Sequence, residues 1–312
     1  MKKRLLLLLI GLVIFLVGCV QDDGDVVSGA FVGGTDGLEI RFASGEPPDR
    51  VFDDNEEDFD ITIEIENVGE FDIPSNKIIA TLSGIDTKDF GINNPNQVLP
   101  FPLDGKGEFN DNVIQGDENE IIFQDARYKH DLVADFETKI RADICYEYQT
   151  KATTKVCLKR DATDRDEDDI CQINSDNVNV ENSGAPVQIK DVRTRSSGTN
   201  EVQLTFVVED KAAGVVHPPG TFTSKCVRDE DEEDKLRVEV FTGSGRHNIK
   251  CSQFGDGSSG IVKLTNNERP VRCRVSTLSA PESALEEPIN IIASYSYRNA
   301  ISKSLIIEDS EE

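Results

Sequence analysis

Apolar side chains fall on every second position over several long stretches of this 312-residue chain, the period of a strand with one buried face. Phe59, Ile61, Ile63 and Ile65 alternate with Asp60, Thr62, Glu64 and Glu66 until Asn67-Val68-Gly69 breaks the run. Ile78, Ala80 and Leu82 resume it before Ser83-Gly84, and Ile121 to Phe123 adds a short apolar piece. The longest pattern sets Leu132, Ala134, Phe136, Ile140, Ala142, Ile144, Tyr146 and Tyr148 on one parity, against Asp135, Glu137, Lys139, Arg141, Asp143 and Glu147 on the other. A helix would not keep that register. The polar stretch Gln149 to Thr153 then reads as a hairpin turn centred near Lys151, with Val156 and Leu158 continuing the inward parity in a returning strand.

A second block starts at Ala185-Pro186-Val187. Val202, Leu204, Phe206 and Val208 alternate, followed by Leu236 to Val240, Val262 with Leu264, and Val271 to Val275. Ile289, Ile291, Ala293, Tyr295 and Tyr297 form another long alternation, and Leu305 to Ile307 closes the chain. Between the blocks, 161–184 is acidic, rich in Asn and poor in large apolar groups, which predicts an interdomain linker. The expected fold is mainly β: two immunoglobulin-like antiparallel β-sandwich domains, at 37–160 and 185–312, because an isolated sheet would leave one apolar face wet.

The strand Phe59–Glu66, the Asn67-Val68-Gly69 break and the returning strand Ile78–Gly84 resemble modules of the CARDB or NEW3 kind, as found in tandem in archaeal-type exported surface lipoproteins. The resemblance covers about Gly37 to Arg160. It implies an adhesion, spacer or scaffold role and no enzymatic activity.

The N-terminus supplies an address. Lys2, Lys3 and Arg4 precede an uncharged run from Leu5 to Val17, and small Gly18 stands before Cys19, the layout of an export signal over 1–18. As a helix this run would span roughly 20 Å, short of the roughly 30 Å of hydrocarbon a permanent span must cross. Leu16-Val17-Gly18-Cys19 resembles a lipobox, which makes Cys19 the expected lipidation site. A plain secretory signal or an uncleaved signal anchor extended to Val20 are the alternatives. The Gly- and Asp-rich segment 19–36 reads as a flexible tether. The expected location is therefore an extracytoplasmic, membrane-anchored cell surface.

Charge narrows the partners. The chain holds 33 basic and 59 acidic residues; loss of Lys2, Lys3 and Arg4 with the leader leaves 30 basic residues and a formal charge of −29. Such a field repels phosphate backbones, so nucleic acid is excluded as a partner class. The membrane through the N-terminus, an envelope protein or a glycan are the partners left. Trp is absent and Tyr scarce, which argues against an aromatic sugar platform.

Leaving Cys19 aside, Cys145, Cys157, Cys171, Cys226, Cys251 and Cys273 make an even set, for which disulfide pairing is the default outside the cytosol. A hairpin at Lys151 sets Cys145 opposite Cys157, with Cys157–Cys171 as the rival pairing. Cys251 and Cys273 point inward by parity, and Cys226 is open to either of them or to Cys171.

Reaction chemistry is not legible. His130, His217 and His247 lack a second histidine at metal-ligand spacing. Gly257-Ser258-Ser259-Gly260 is followed by Ile261 and reads as a turn, not a nucleophile elbow, and phosphate loops are absent. Asp164 to Asp168 and Asp229 to Asp234 have the oxygen density of a calcium loop, but neither has its turn glycine or terminal glutamate. The expectation is a non-enzymatic binding or spacer module without cofactor or metal.

Overall fold

A computed structural model describes residues 31–310 of the protein apart from positions 111 and 167. The expected leader, Cys19 and the first part of the tether lie outside those residues. Apart from one 3-10 turn at Ser252–Phe254 the regular elements of the described chain are all strands, and among the described residues no helix is long and apolar enough to cross a membrane. The strands of the first half are β1 (Leu38–Phe42), β2 (Arg50–Phe52), β3 (Phe59–Asn67), β4 (Ile78–Ser83), β5 (Asn96–Val98), β6 (Gly107–Phe109), β7 (Asn112–Ile114), β8 (Glu118–Ala126) and β9 (Phe136–Leu158). Next come β10 (Ser175–Val178), β11 (Val180–Asn182), β12 (Val187–Ser196), β13 (Glu201–Asp210) and β14 (Val215–His217). The last five are β15 (Lys235–Thr242), β16 (Ile249–Cys251), β17 (Ser259–Lys263), β18 (Glu268–Ser276) and β19 (Leu285–Glu308).

Two very long strands organise the molecule. β9 and β19 pair antiparallel over their whole common length, from Leu285↔Leu158 to Ile307↔Phe136. Along the free edge of β9, β4 pairs with its first half and β11 with its second. Along the free edge of β19, β15, β14 and β2 follow in turn, the last in parallel. β17 and β5 extend the two sides, giving a nine-stranded sheet. The blocks that the sequence suggested as two domains therefore share one sheet.

Over one face of this sheet lie two further layers, the three-stranded β1-β3-β8 and the five-stranded β10-β12-β13-β18-β16. Even-numbered residues of β9 from Ile140 to Leu158 and odd-numbered residues of β19 from Ile289 to Tyr297 are buried. The apolar alternation read from the sequence fills one continuous core: Ile61, Ile63, Ile140, Ile144, Leu204, Phe206, Ile289, Ile291 and Ile307 all belong to it.

The hairpin expected at Lys151 does not form. Thr150, Ala152 and Thr154 keep the inward parity unbroken and are buried. Two of them spend their hydroxyls on backbone carbonyls: Thr150 Oγ1 donates to Val187 O at 2.7 Å and Thr154 Oγ1 to Asn179 O at 2.6 Å. Polarity here marks a satisfied interior, not a turn. With the strand straight, Cys145 and Cys157 lie twelve residues apart, about 40 Å along the chain. The disulfides are Cys145–Cys226, Cys157–Cys171 and Cys251–Cys273. The rival pairing of Cys157 and the inward pairing of Cys251 thus occur, while Cys226 takes a partner outside those that its position suggested.

The segment 161–184 is also more than a linker. It contributes β10 to the five-stranded layer and β11 to the nine-stranded sheet. Its acidic start closes on a lysine: Lys159 Nζ sits 2.7 Å from Asp164 and 2.9 Å from Asp169, with only 8 % of the lysine side chain exposed. Hydrogen bonds to these carboxylates raise the Lys159 pKa, so the ammonium stays charged.

Candidate functional site

Three places on the body gather polar chemistry. The first is a strap, residues 218–234, which crosses the outer face of the nine-stranded sheet. Its backbone is held by side chains that the sheet points outward: Gly220 N donates to Glu147 Oε1 at 2.9 Å, Thr221 N to Ser296 Oγ at 3.3 Å and Cys226 N to Thr81 Oγ1 at 2.8 Å. Cys145–Cys226, Ile79 and Phe222 form a small separate apolar cluster beneath it. Phe222 stacks edge-on against His217, with ring centroids 4.8 Å apart.

The acidic run Asp229 to Asp234, dense enough in oxygen for a calcium loop, is partly committed to cations of the chain itself. Glu233 binds Arg228 at 2.9 Å and Arg298 at 3.4 Å, Arg298 reaches Asp143 at 3.3 Å, and Glu232 binds Lys235 at 3.1 Å. The hydrogen bond from Arg228 holds the Glu233 carboxyl below its ordinary range. Burial lowers the His217 pKa, so the imidazole under the strap is neutral at neutral pH.

The second place is a cleft of ≈ 780 Å³ where β9, β10 and β11 meet. Thr153, Gln172, Asn177, Asn179 and Thr194 present hydroxyls and amides to it, and an exposed Lys155–Glu286 pair at 3.6 Å lies on its wall. The Cys157–Cys171 disulfide fixes that wall. Nothing in the lining pairs a nucleophile with a base; the groups can donate and accept hydrogen bonds to a polar ligand. The sequence offered one signal for this site, the alternation Asn177-Val178-Asn179-Val180, which the acidic, Asn-rich surroundings disguise as linker.

Asp53, Asp131 and Asp309 form the third, with carboxylate oxygens within 4.8 Å of one another. Asp53 is fully buried, yet its oxygens are taken: Leu132 N donates to Oδ2 at 2.6 Å and Ser310 N to Oδ1 at 2.9 Å. The hydrogen bonds from Ser310 are the main cause of a lowered Asp53 pKa. The carboxylate thus ties the loop after β2 to the segments before β9 and after β19. The three residues come from 53, 131 and 309, so no spacing rule could have found them.

The histidines stay apart. His130 Nε2 meets Asp89 at 2.9 Å, His217 lies under the strap, and His247 is buried with Nδ1 3.1 Å from Ser276 O and Nε2 3.9 Å from Glu287.

At the middle of the long ribbon, Tyr146 pairs with Tyr297 and Tyr148 with Tyr295 in register. The four rings pack at centroid distances of 5.7 to 6.3 Å. Their hydroxyls hold the overlying layers: Tyr148 Oη donates to Asn67 Oδ1 at 3.1 Å, Tyr295 Oη accepts from Val187 N at 3.4 Å, and Tyr297 Oη donates to Asp210 Oδ1 at 3.1 Å. Burial pushes the Asp210 carboxyl from its ordinary 3.8 up to about 7. The native state therefore keeps a proton there that the unfolded chain has released, so this group favours folding most below pH 4 and the benefit fades as pH rises to 7. Asp210→Asn is expected to flatten stability between pH 4 and 7 and to raise it at pH 8 by about 2 to 3 kcal/mol. Urea midpoints of the two proteins at pH 5 and pH 8 check this; parallel curves would refute it.

No family model and no curated protein matches the chain. Among solved structures, the secreted serine protease VesC from Vibrio cholerae aligns with a TM-score of 0.18 and 9% identity, over 83% of this chain and 50% of that one. Escherichia coli alpha-2-macroglobulin activated by porcine elastase aligns with a TM-score of 0.20 and 9% identity, over 88% of this chain and 33% of that one. The chain spans half or less of the length of either, and neither likeness is close enough to carry an argument about fold or activity.

Proposed function

We propose that the protein is a lipid-anchored, extracytoplasmic module that binds or spaces other envelope components without catalysis. The observation that carries this reading is the β9–β19 ribbon, which at about 3.3 Å per residue runs some 75 Å and serves both overlying layers. A ribbon paired along its whole length, with three disulfides around it, keeps a fixed length, as a spacer or display platform requires. The leader ending in Cys19 supports attachment to a bilayer. Two acyl chains on that cysteine would hold such a body stably.

A second reading, a glycan-binding accessory protein, is favoured by the cleft at Thr153, Asn177, Asn179 and Thr194, whose hydroxyls and amides match sugar hydroxyls. Against it, four of the five tyrosines are buried at the waist and none lines that cleft.

The test is fractionation of the full chain and a Cys19→Ser variant in an exporting host fed a labelled fatty acid. Label in the full chain alone, with the body open to added protease on intact cells, supports anchoring outside the cytosol. A protected, unlabelled body would end the proposal. Oligosaccharide titration of the same protein, followed at Thr153→Ala, separates the two readings.

A further inference from the structure

The two-stranded sheet β6–β7 stands apart from every other sheet in the described chain. In register, Gly107 faces Ile114, Glu108 faces Val113 and Phe109 faces Asn112. Period-2 alternation therefore places Phe109 and Ile114 on one face of the ribbon and Val113 on the other. These side chains are 65 %, 55 % and 50 % exposed, and none belongs to either apolar cluster. Phe101, on the approach to the hairpin, is 60 % exposed. An isolated two-stranded hairpin is at best marginally stable in water, and one that turns apolar groups outward on both faces is not closing over a core of its own. Other exposed apolar residues, such as Val133, Ile170 and Leu278, come from separate segments.

The position of the hairpin says what covers it. The described chain enters the body immediately beside it. Val32 N and Gly33 N donate to Glu70 at 2.9 and 2.8 Å, Lys106 N donates to Gly69 O at 2.7 Å, and a side chain at Gly34 would meet Lys106 Nζ at 3.0 Å. Lys106 is the residue before β6. Gly69 in turn lies against Tyr148, at the midpoint of the long ribbon. The tether therefore joins the body at its middle and not at an end. From Cys19 to Val32 is 13 residues, about 45 Å at full extension and roughly 20 Å as a coil. A bilayer holding Cys19 is within reach of the hairpin.

We propose that β6–β7 is a second membrane contact, inserting Phe109, Val113 and Ile114 into the headgroup–acyl boundary of the bilayer that holds the leader. This rests on the anchored reading above and adds an orientation to it: the body is held by its waist, close to the surface, with both ends of the ribbon free. With Glu108 and Asp111 in the hairpin sequence, Asp104 before it, Asp117 after it and an excess of acid over the whole chain, the attraction is apolar, and the surface it fits is zwitterionic or neutral. An apolar wedge of this size reaches about 5 to 10 Å below the headgroups.

The chain contains no tryptophan, so Phe109→Trp places a single indole at the site, and the exposure of Phe109 lets the fold accept it. Leu278→Trp, at a residue 66 % exposed on the connection into β19 at one end of the ribbon, serves as the control. Each full-length variant is reconstituted into phosphatidylcholine vesicles with and without brominated acyl chains, and flotation is scored alongside emission. The expected result is that both variants float and that only the hairpin indole of Phe109→Trp emits at shorter wavelength, loses intensity to bromine and resists acrylamide. Flotation with the hairpin indole as wet as the control indole would overturn the membrane contact and leave the anchor standing. Failure to float would overturn both. A shift in Phe109→Trp emission that grows with the number of chains per vesicle and ignores bromine would assign the hairpin to a second copy of the chain, and so also overturn the proposal.

Discussion

Asn67→Ala is expected to lower the free energy of unfolding by about 4 kcal/mol, because one buried amide closes four hydrogen bonds at the junction of the layers. Asn67 is fully buried. Its Nδ2 donates to Phe71 O at 2.8 Å and to Leu103 O at 3.0 Å, while Oδ1 accepts from Gly69 N at 3.2 Å and from Tyr148 Oη at 3.1 Å. Truncation strands Phe71 O and the Tyr148 O–H, while Leu103 O keeps Ile73 N and Gly69 N keeps Gly37 O, and each buried unpaired group costs about 1 to 3 kcal/mol. Tyr148→Phe removes one of the four bonds and leaves the amide otherwise satisfied, so a loss of about 1 kcal/mol is expected there. The glycine two residues on is fixed by the same geometry: a Cβ at Gly69 would lie 2.0 Å from Tyr148 Oη and 2.6 Å from Gly184 O. Urea denaturation monitored by tyrosine circular dichroism reads both variants. Equal, small losses for Asn67→Ala and Tyr148→Phe would show that Asn67 is not the hub.

That hub is visible in the sequence only as a break in a strand. Asn67-Val68-Gly69 marks the end of β3, since alternation stops there, but the reason for those two residue types lies in Tyr148, Leu103 and Gly184, far along the chain. The period-2 signal locates most core strands because it depends only on neighbouring residues. It fails where burial is polar. Gln149 to Thr153 holds no Gly, Pro, Asn or Asp, the residues a tight turn demands, and its two threonines favour strand. The Thr150 hydroxyl hides a continuous strand because its acceptor, Val187 O, comes from another layer. The expected Cys145–Cys157 pairing depends on that turn, and the straight strand sets the two cysteines apart. The strap shows the same limit. Cys226 finds Cys145 across 81 residues, a contact that alternation cannot express.

Ala152→Pro tests the continuity of β9 and should have a comparable effect, a loss of about 4 kcal/mol or more. Ala152 is fully buried, with Ile291 of β19 on one side and Asn182 of β11 on the other. Proline there removes an N–H from an interior strand and drives its ring toward a neighbour. Were the chain to turn at Lys151, a proline at the next position would be tolerated. The response of the distant half discriminates further. Along β9, Tyr148 bonds Asn67 of the three-stranded layer and Thr150 bonds Val187 of the five-stranded one, so a defect at Ala152 is felt on both sides. Calorimetry of the unmodified protein should give one transition, and in the variant that transition should move down in temperature as a unit. Two transitions, with only one of them displaced, would mean that the halves fold independently and that the shared ribbon does not couple them.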